Sequence, residues 1–226
     1  MILVVGGKTG TGAQIVADLK MAGYEVVAPT IDDLDVKFVW RIDDYLRDGI
    51  GETLTHVVYC AGVNFPASIG ELHRDDVRNT FDVNAIGFIN LLDALARWHG
   101  KENSLSIVAI VSEASHTPMR GSIAYASSKA ALAQAVRCAA RELAPNWRVN
   151  GVNPSVIDDT PMTNFVNKII EKQRGWNTEE ALKYELEKVP MGRRVTKAEV
   201  SQVVMSVLLG PEFMTGSLVN ITGGKS

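Results

Sequence analysis

The sequence predicts an α/β fold: a doubly wound, mostly parallel sheet with helices on both faces. Three observations carry this. Short continuous apolar runs alternate with segments of helical period along all 226 residues, as strands covered on both faces require. A glycine-rich turn, Gly6-Gly7-Lys8-Thr9-Gly10-Thr11-Gly12, joins the first apolar run to the first helical segment. No repeat, low-complexity tract or linker interrupts the chain, so residues 1–226 read as one domain.

The elements follow in order. Ile2–Val5 is the first strand, and a helix follows over about Gly12–Ala22 with Gly23 as its C-cap. The second strand, Glu25–Ala28, runs almost directly into Asp33-Leu34-Asp35-Val36 and leaves no room there for a crossover helix. Strand His56–Cys60 precedes a long helix, Asp75–Trp98. Strand Ser106–Val111 leads to a helix over Ser122–Leu143, which Pro145 ends. Strands at Arg148–Val152 and Leu218–Ile221 bracket the helix Lys197–Leu209 and a polar segment, 160–196. That segment reads as a helical lid outside the sheet. In it, Trp176 and Met162 either line an apolar pocket or pack the lid onto the body, and Arg193-Arg194 reads as a solvated cap, with a substrate or subunit contact as the alternative.

Composition narrows the function classes. The chain is 46% hydrophobic and 22% charged with net charge −3, so no basic excess points to nucleic acid or to an anionic membrane. The longest apolar runs are far too short to span a bilayer. Met1-Ile2-Leu3-Val4-Val5 reads as a core strand and not as a signal peptide, which implies a cytoplasmic protein. Cys60 and Cys138 fall in apolar segments and read as reduced packing residues. Neither has metal-ligand spacing, and no metal is expected.

The chemistry concentrates between Ser112 and Lys129. Tyr125 and Lys129 are four residues apart in an alanine-rich helical stretch, which puts both side chains on one helix face. An ammonium held there favours phenolate over phenol and pulls the pKa of Tyr125 down from about 10. Such a hydroxyl gives or takes a proton at a carbonyl or alcohol oxygen. Ser112 closes a strand thirteen residues earlier, where it can bond the same oxygen. The plain alternative is a helix that merely carries Tyr and Lys. His116 and Glu113 lie beside this strand and either touch substrate or remain solvated. The glycine turn opens a helix whose free N–H groups suit a diphosphate.

These residues resemble the short-chain dehydrogenase/reductase family nearly end to end. Gly6, Gly10 and Gly12 fit its Gly-x-x-x-Gly-x-Gly loop; Cys60-Ala61-Gly62 falls where the family has Asn-Ala-Gly. Asn84 matches the active-site asparagine, and Ser112, Tyr125 and Lys129 match the other catalytic positions. Asn153-Pro154-Ser155-Val156-Ile157 resembles the Pro-Gly stretch beside the nicotinamide, which places Pro154 and Ile157 at the cofactor. Pro190-Met191-Gly192-Arg193 and Gly223-Gly224 resemble later landmarks. Val5, Cys60 and Ser155 depart from the usual threonine, asparagine and glycine, and Asp158-Asp159 sets Thr160 one residue late as a carboxamide or pyrophosphate contact.

The resemblance implies a Rossmann-type fold and an NAD(P)-dependent oxidoreductase acting on a ketone or secondary alcohol. Tyr125 is then the general acid/base, and Lys129 lowers its pKa and holds the ribose. Ser112 orients the substrate oxygen, and Asn84, by its side chain or a bound water, supports a proton relay through Lys129. Lys8, Thr9, Thr11, Cys60, Ala61 and Gly62 join the glycines at the cofactor, and Asp35-Val36 matches the pair at the adenine ring. The ribose position falls near neutral Thr30, which with Lys8 favours NADP(H); Asp32 and Asp33 nearby keep NAD(H) open. Enoyl reductases of the superfamily place six residues between Tyr and Lys, and this chain has three. Two other readings stand beside this one: a non-catalytic sensor or structural subunit, and an isomerase or dehydratase that retains its cofactor. The resemblance also implies a homo-oligomer, dimer or tetramer, for which Ala126, Ala130, Ala133 and Ala140 offer a small-residue helix face.

Overall fold

The computed structural model describes residues 1–225. Six parallel strands form one sheet in the order β2-β1-β3-β4-β5-β6. They are β1 (Ile2–Val5), β2 (Val26–Val27), β3 (His56–Tyr59), β4 (Leu105–Ile110), β5 (Trp147–Pro154) and β6 (Leu218–Ile221). All six match strands read from the sequence: β1 and β6 keep the same bounds, and the ends of the other four differ by at most two residues. Winding goes outward from β1 in both directions, so the ends of β1 and β3 flank a topological switch point, where open α/β sheets bind ligands.

Alternation along each strand builds two cores, one on each face. Ile2 and Val4 point to a cluster with Ile15 and Leu19 of α1 (Gly10–Met21) and Val200, Val204 and Leu208 of α9 (Lys197–Leu208). Leu3 and Val5 point the other way, into a larger cluster with Phe88, Leu91, Leu132, Val136 and Trp147. At about 25 cal/mol per Å² of apolar surface, these two layers are the main favourable contribution to folding.

Strand β2 is only two residues long and forms the sheet edge. No helix intervenes before Val36, as the sequence implies; a helix follows it instead. This is α2 (Val39–Arg47), which buries Ile42 and Leu46 four residues apart, and with α3 (Ile50–Thr53) it forms the crossover into β3. The sequence reading did not place these two helices. They complete the coverage of the short edge.

The long helix runs from Arg74 to Gly100 as α4 (Arg74–Phe81), a π turn (Asp82–Ile86), α5 (Gly87–Leu95) and a second π turn (Ala96–Gly100). Gly87 has a steric reason: a Cβ there would lie 2.6 Å from Val36 Cγ2 and 2.7 Å from Tyr59 Oη. Helix α6 (Ile123–Leu143) buries eight residues along its inner side. The segment 160–196 is helical, as expected of a lid: α7 (Pro161–Arg174) and α8 (Thr178–Leu186). No helix among the described residues is long and apolar enough to cross a membrane.

Candidate active site

The loop after β1 is shaped by close backbone approach. Gly6 has φ +79°, and a Cβ on it would lie 2.7 Å from the Ala61 amide nitrogen. On Gly12 a Cβ would lie 2.1 Å from the Gly6 carbonyl oxygen. Only glycine closes this turn. The N-cap of α1, Thr9, makes no side-chain capping bond, and the first turn holds no acidic residue. The helix therefore presents uncapped N–H groups and a partial positive charge to the space above it. Such a cradle suits a diphosphate, and a dinucleotide fits the residues present.

That space is a cleft of about 710 Å³. Gly6, Thr9, Gly10, Thr11, Gly12, Cys60, Ala61, Gly62, Pro154, Ile157 and Thr160 line it, and so do Ser112, Tyr125 and Lys129. Most of the expected site thus meets around one opening. Ser112 lies two residues past β4, and its hydroxyl accepts from the Ala114 amide at 3.1 Å. Tyr125 and Lys129 come from the first two turns of α6. The Lys129 Nζ donates to the Ile110 carbonyl at 2.8 Å and lies 5.8 Å from the Tyr125 ring centroid.

Electrostatics departs from the expectation for Tyr125. Its pKa is raised and not lowered: burial is the main cause, a hydrogen bond with Ser112 pulls it down, and the Glu113 charge pushes it up. Lys129 carries a matching penalty. Burial lowers its pKa to about 8, opposed by the neighbouring Cys60. In both groups burial weakens the charged form relative to water, because both are desolvated. Burial also lifts Cys60 to about 11, which keeps the thiol protonated and unreactive. Cys138, read as a packing residue, is exposed on α6.

Asn84 is fully buried in the first π turn, and it lies outside the cleft lining. Its Oδ1 accepts from the Val63 amide at 2.8 Å, and its Nδ2 donates to the Val63 carbonyl at 2.9 Å and to Ser128 Oγ at 3.0 Å. The side chain is therefore committed to the Gly62–Val63 loop, which leaves it no direct bond to Lys129. It remains close: a Cβ on Gly62 would lie 3.4 Å from Asn84 Oδ1 and 3.5 Å from Lys129 Nζ.

Four expected cofactor contacts stand apart from the cleft lining. Lys8 is exposed on the glycine loop. Thr30 is engaged with Asp33, whose Oδ2 accepts from its amide at 2.8 Å and its hydroxyl at 2.7 Å. Asp35 accepts from the Lys37 amide at 3.0 Å and pairs with the Lys37 ammonium at 3.6 Å, as a turn cap does. Val36 is buried against Gly87. Thr160 reaches the cleft, and its hydroxyl caps α7 by accepting from the Thr163 amide at 3.0 Å. A Cβ on Gly10 would lie 3.3 Å from Pro161 Cδ, so the lid begins directly over the glycine loop.

Residues the sequence left open find places here. Met162 and Trp176 both line the cleft, and the Trp176 and Tyr184 rings lie 5.1 Å apart, tilted at 53°, with the Arg174 guanidinium over both. Arg194 is a clamp and not a solvated cap. It donates to both Glu185 oxygens at 2.8 Å and to Asn167 at 3.4 Å, joining α8 and α7. Arg193 stays exposed and pairs with Glu199. Glu113 is buried at the cleft wall, whereas His116 is exposed and bonded to Ser115. Among the described residues no three His, Cys, Asp or Glu side chains cluster as metal ligands.

Comparison with known proteins agrees with this geometry. A family model described as enoyl-(acyl carrier protein) reductase matches residues 41–226. An L-xylulose reductase of Caenorhabditis elegans is 30% identical over 251 aligned positions, covering 100% of this chain and 95% of the relative. Among solved structures, a short chain dehydrogenase family protein of Francisella tularensis superposes with TM-score 0.86 at 26% identity, over 99% of this chain and 97% of that one. An actinorhodin polyketide ketoreductase variant, solved with NADPH, superposes with TM-score 0.87 at 24% identity, over 99% and 95%. With the glycine cradle, the Tyr125–Lys129 pair and Ser112 around one opening, the chain belongs to the short-chain dehydrogenase/reductase family.

Proposed function

We propose that residues 1–226 form one oxidoreductase domain that interconverts a ketone and a secondary alcohol, with NADP(H) favoured over NAD(H). The observation that carries the reading is the shared cleft: proton donor, oxygen-orienting hydroxyl and diphosphate cradle all line it. The cofactor, when bound, supplies or accepts the hydride at nicotinamide C4. The chain's own residues hold the rest. Gly6, Thr9, Gly10, Thr11 and Gly12 cradle the diphosphate, and Pro154, Ile157 and Thr160 stand where the nicotinamide end would lie.

In reduction Tyr125 gives its proton to the carbonyl oxygen as the carbon is reduced; in oxidation it takes the alcohol proton. Its raised pKa keeps it protonated in the free protein, which suits the donor role. Ser112 bonds the same oxygen. Lys129 holds the ribose hydroxyls and stabilises the phenolate as it forms. Asn84 is a positioning residue that fixes the Gly62–Val63 loop beside Lys129. The three-residue spacing between Tyr125 and Lys129 favours carbonyl over enoyl chemistry despite the description of the family model.

NADP(H) is supported by the exposed cation of Lys8 on the glycine loop, whereas the Asp33 carboxylate bonded to Thr30 is the feature that favours NAD(H). The L-xylulose and polyketide relatives are named for reducing ketone-bearing substrates, which supports a carbonyl substrate here. Two free cysteines accord with a reducing, cytoplasmic setting. Exposed Ile86 and Ile89 on the long helix and Ile123 at the start of α6 support self-association, since such side chains cluster at interfaces. The reading is tested by NADPH and NADH consumption over a ketone panel. Consumption with a lower KM for NADPH supports it; cofactor binding with no consumption removes the catalytic assignment.

A further inference from the structure

A buried carboxylate at the cleft wall has no role in the scheme above. Glu113 follows Ser112 directly, is 2% exposed and lines the cleft. Its Oε1 accepts from the Lys225 Nζ at 2.7 Å, in a pair whose side chains are 17% and 3% exposed. Its Oε2 is buried and has no hydrogen-bond partner among the described residues. An unsatisfied buried acceptor on a charged group is costly, and native structures keep few of them. Lys225 also lines the cleft, so the pair belongs to its wall and not to the core.

Three features say what would satisfy Oε2. The donor must be neutral, because Lys225 already balances the charge. It must sit close to the reacting oxygen, because Glu113 neighbours Ser112 and its charge is felt by Tyr125. It must belong to the substrate side, because Glu113 follows β4 and Lys225 follows β6, whereas the phosphate cradle follows β1 at the other side of the opening. We propose that Glu113, held by Lys225, is a specificity determinant that accepts a hydrogen bond from a hydroxyl near the reacting carbon. The substrate class is then hydroxy ketones and polyols, in preference to plain ketones. This rests on the oxidoreductase reading given above.

The test uses three small probes on the purified full chain with NADPH or NADH: hydroxyacetone, methoxyacetone and acetone. Hydroxyacetone offers a donor, methoxyacetone only an acceptor, and acetone neither. A hydrogen bond to a charged acceptor gives the wild type a kcat/KM for hydroxyacetone about 10–100-fold above methoxyacetone. In Glu113→Gln the amide oxygen faces Lys225 and the NH₂ faces the substrate, so the ratio falls to within about threefold of one or inverts. The pH profile of that variant also moves to lower pH, because the charge that raises the Tyr125 pKa is gone. KM for the cofactor stays as in the wild type.

Glu113→Ala decides the matter should Glu113→Gln fail to fold: it removes the acceptor and leaves the Lys225 ammonium to the cleft, so the preference for hydroxyacetone falls to within about threefold of one. A preference for hydroxyacetone that survives in Glu113→Ala overturns the proposal. An unchanged ratio in Glu113→Gln overturns it too, and so does a wild type that turns over all three probes equally. Turnover of no ketone removes the oxidoreductase reading and this inference with it.

Discussion

The floor and the lid of the cleft are built on opposite principles. On the floor, Ser112, Lys129 and Asn84 are 9%, 3% and 0% exposed, and they are fixed by strand ends and by a helix with eight buried residues. In the lid, α8 buries no residue at all and α7 buries only Thr163. Within the lid the named contacts are polar or cationic, namely the Arg194 clamp, the Asn177–Glu180 capping box and the Arg174 guanidinium over Trp176 and Tyr184, while Phe165 of α7 meets Phe65 of the body edge-on at 6.1 Å. Reacting groups must keep their geometry within fractions of an ångström, which only a packed core supplies. A lid has to open, and elements that move come from the low-stability end of a structure.

The largest expected effect breaks the floor. Tyr125→Phe removes the proton donor and leaves the ring, so kcat falls by about 10²–10⁴-fold. The cofactor dissociation constant, measured by nicotinamide fluorescence, stays within about threefold. Equal turnover in the variant removes Tyr125 from the chemistry.

Lys129→Met sharpens the comparison, because it separates stability from function on the floor. The native pKa is about 8 against an ordinary value of 10.5. Below pH 8 lysine is charged in both states, so the full burial penalty is present. Between pH 8 and 10.5 the unfolded chain binds more protons than the native one, and stability rises with pH. Replacing Lys129 by Met should therefore stabilise the protein at pH 7 by on the order of 1–3 kcal/mol while removing turnover. Thermal melts at pH 7 and pH 10 check it: the gain shrinks as pH rises. A variant less stable than the wild type at pH 7 sinks the argument.

How much was legible in the sequence follows the same division. The floor was readable because its chemistry imposes local patterns. Gly6 and Gly12 are forced by backbone contacts under 3 Å, and Tyr125 and Lys129 share a face through helical period. The lid was legible only as a polar helical excursion, because Arg194 meets Glu185 through folding and not through spacing. Helix α2 is a different case: it is short but amphipathic, with Ile42 and Leu46 four residues apart on one buried face, so its pattern was present in the sequence and was passed over. The adenine-end residues were placed by counting, and in the structure they are bonded to turn neighbours, Thr30 to Asp33 and Asp35 to Lys37. The lowered Tyr125 pKa failed because spacing shows which charge is near but not how deeply both groups are buried.

A cofactor-side test is intermediate in size. Gly12→Ala puts a methyl group 2.1 Å from the Gly6 carbonyl, a backbone atom that cannot swing aside. The turn must open, so cofactor affinity falls at least about tenfold and stability by about 1–3 kcal/mol, as for other overpacked sites. Titration calorimetry and melting curves read the two separately. Wild-type affinity in this variant would show that the glycine turn is not the cradle.

The smallest effect tests the lid itself. Arg194→Met keeps the stem and removes a bidentate ion pair whose arginine side chain is 12% exposed, so its two bonds to Glu185 are only partly screened. Glu185 is 22% exposed and regains water once the guanidinium is gone. The global cost should then be modest, about 1 kcal/mol or a few degrees in Tm. The functional cost should fall on binding: an opened lid raises KM for the carbonyl substrate about 3–10-fold with kcat nearly unchanged, because the proton donor and its neighbours do not touch Arg194. Hydrogen exchange gives the discriminating readout. Amides of α7 and α8 should exchange faster while those of α6 and β4 keep their protection. Equal acceleration in both sets would mean that lid and floor unfold together, and the division between a packed floor and a polar lid would fail.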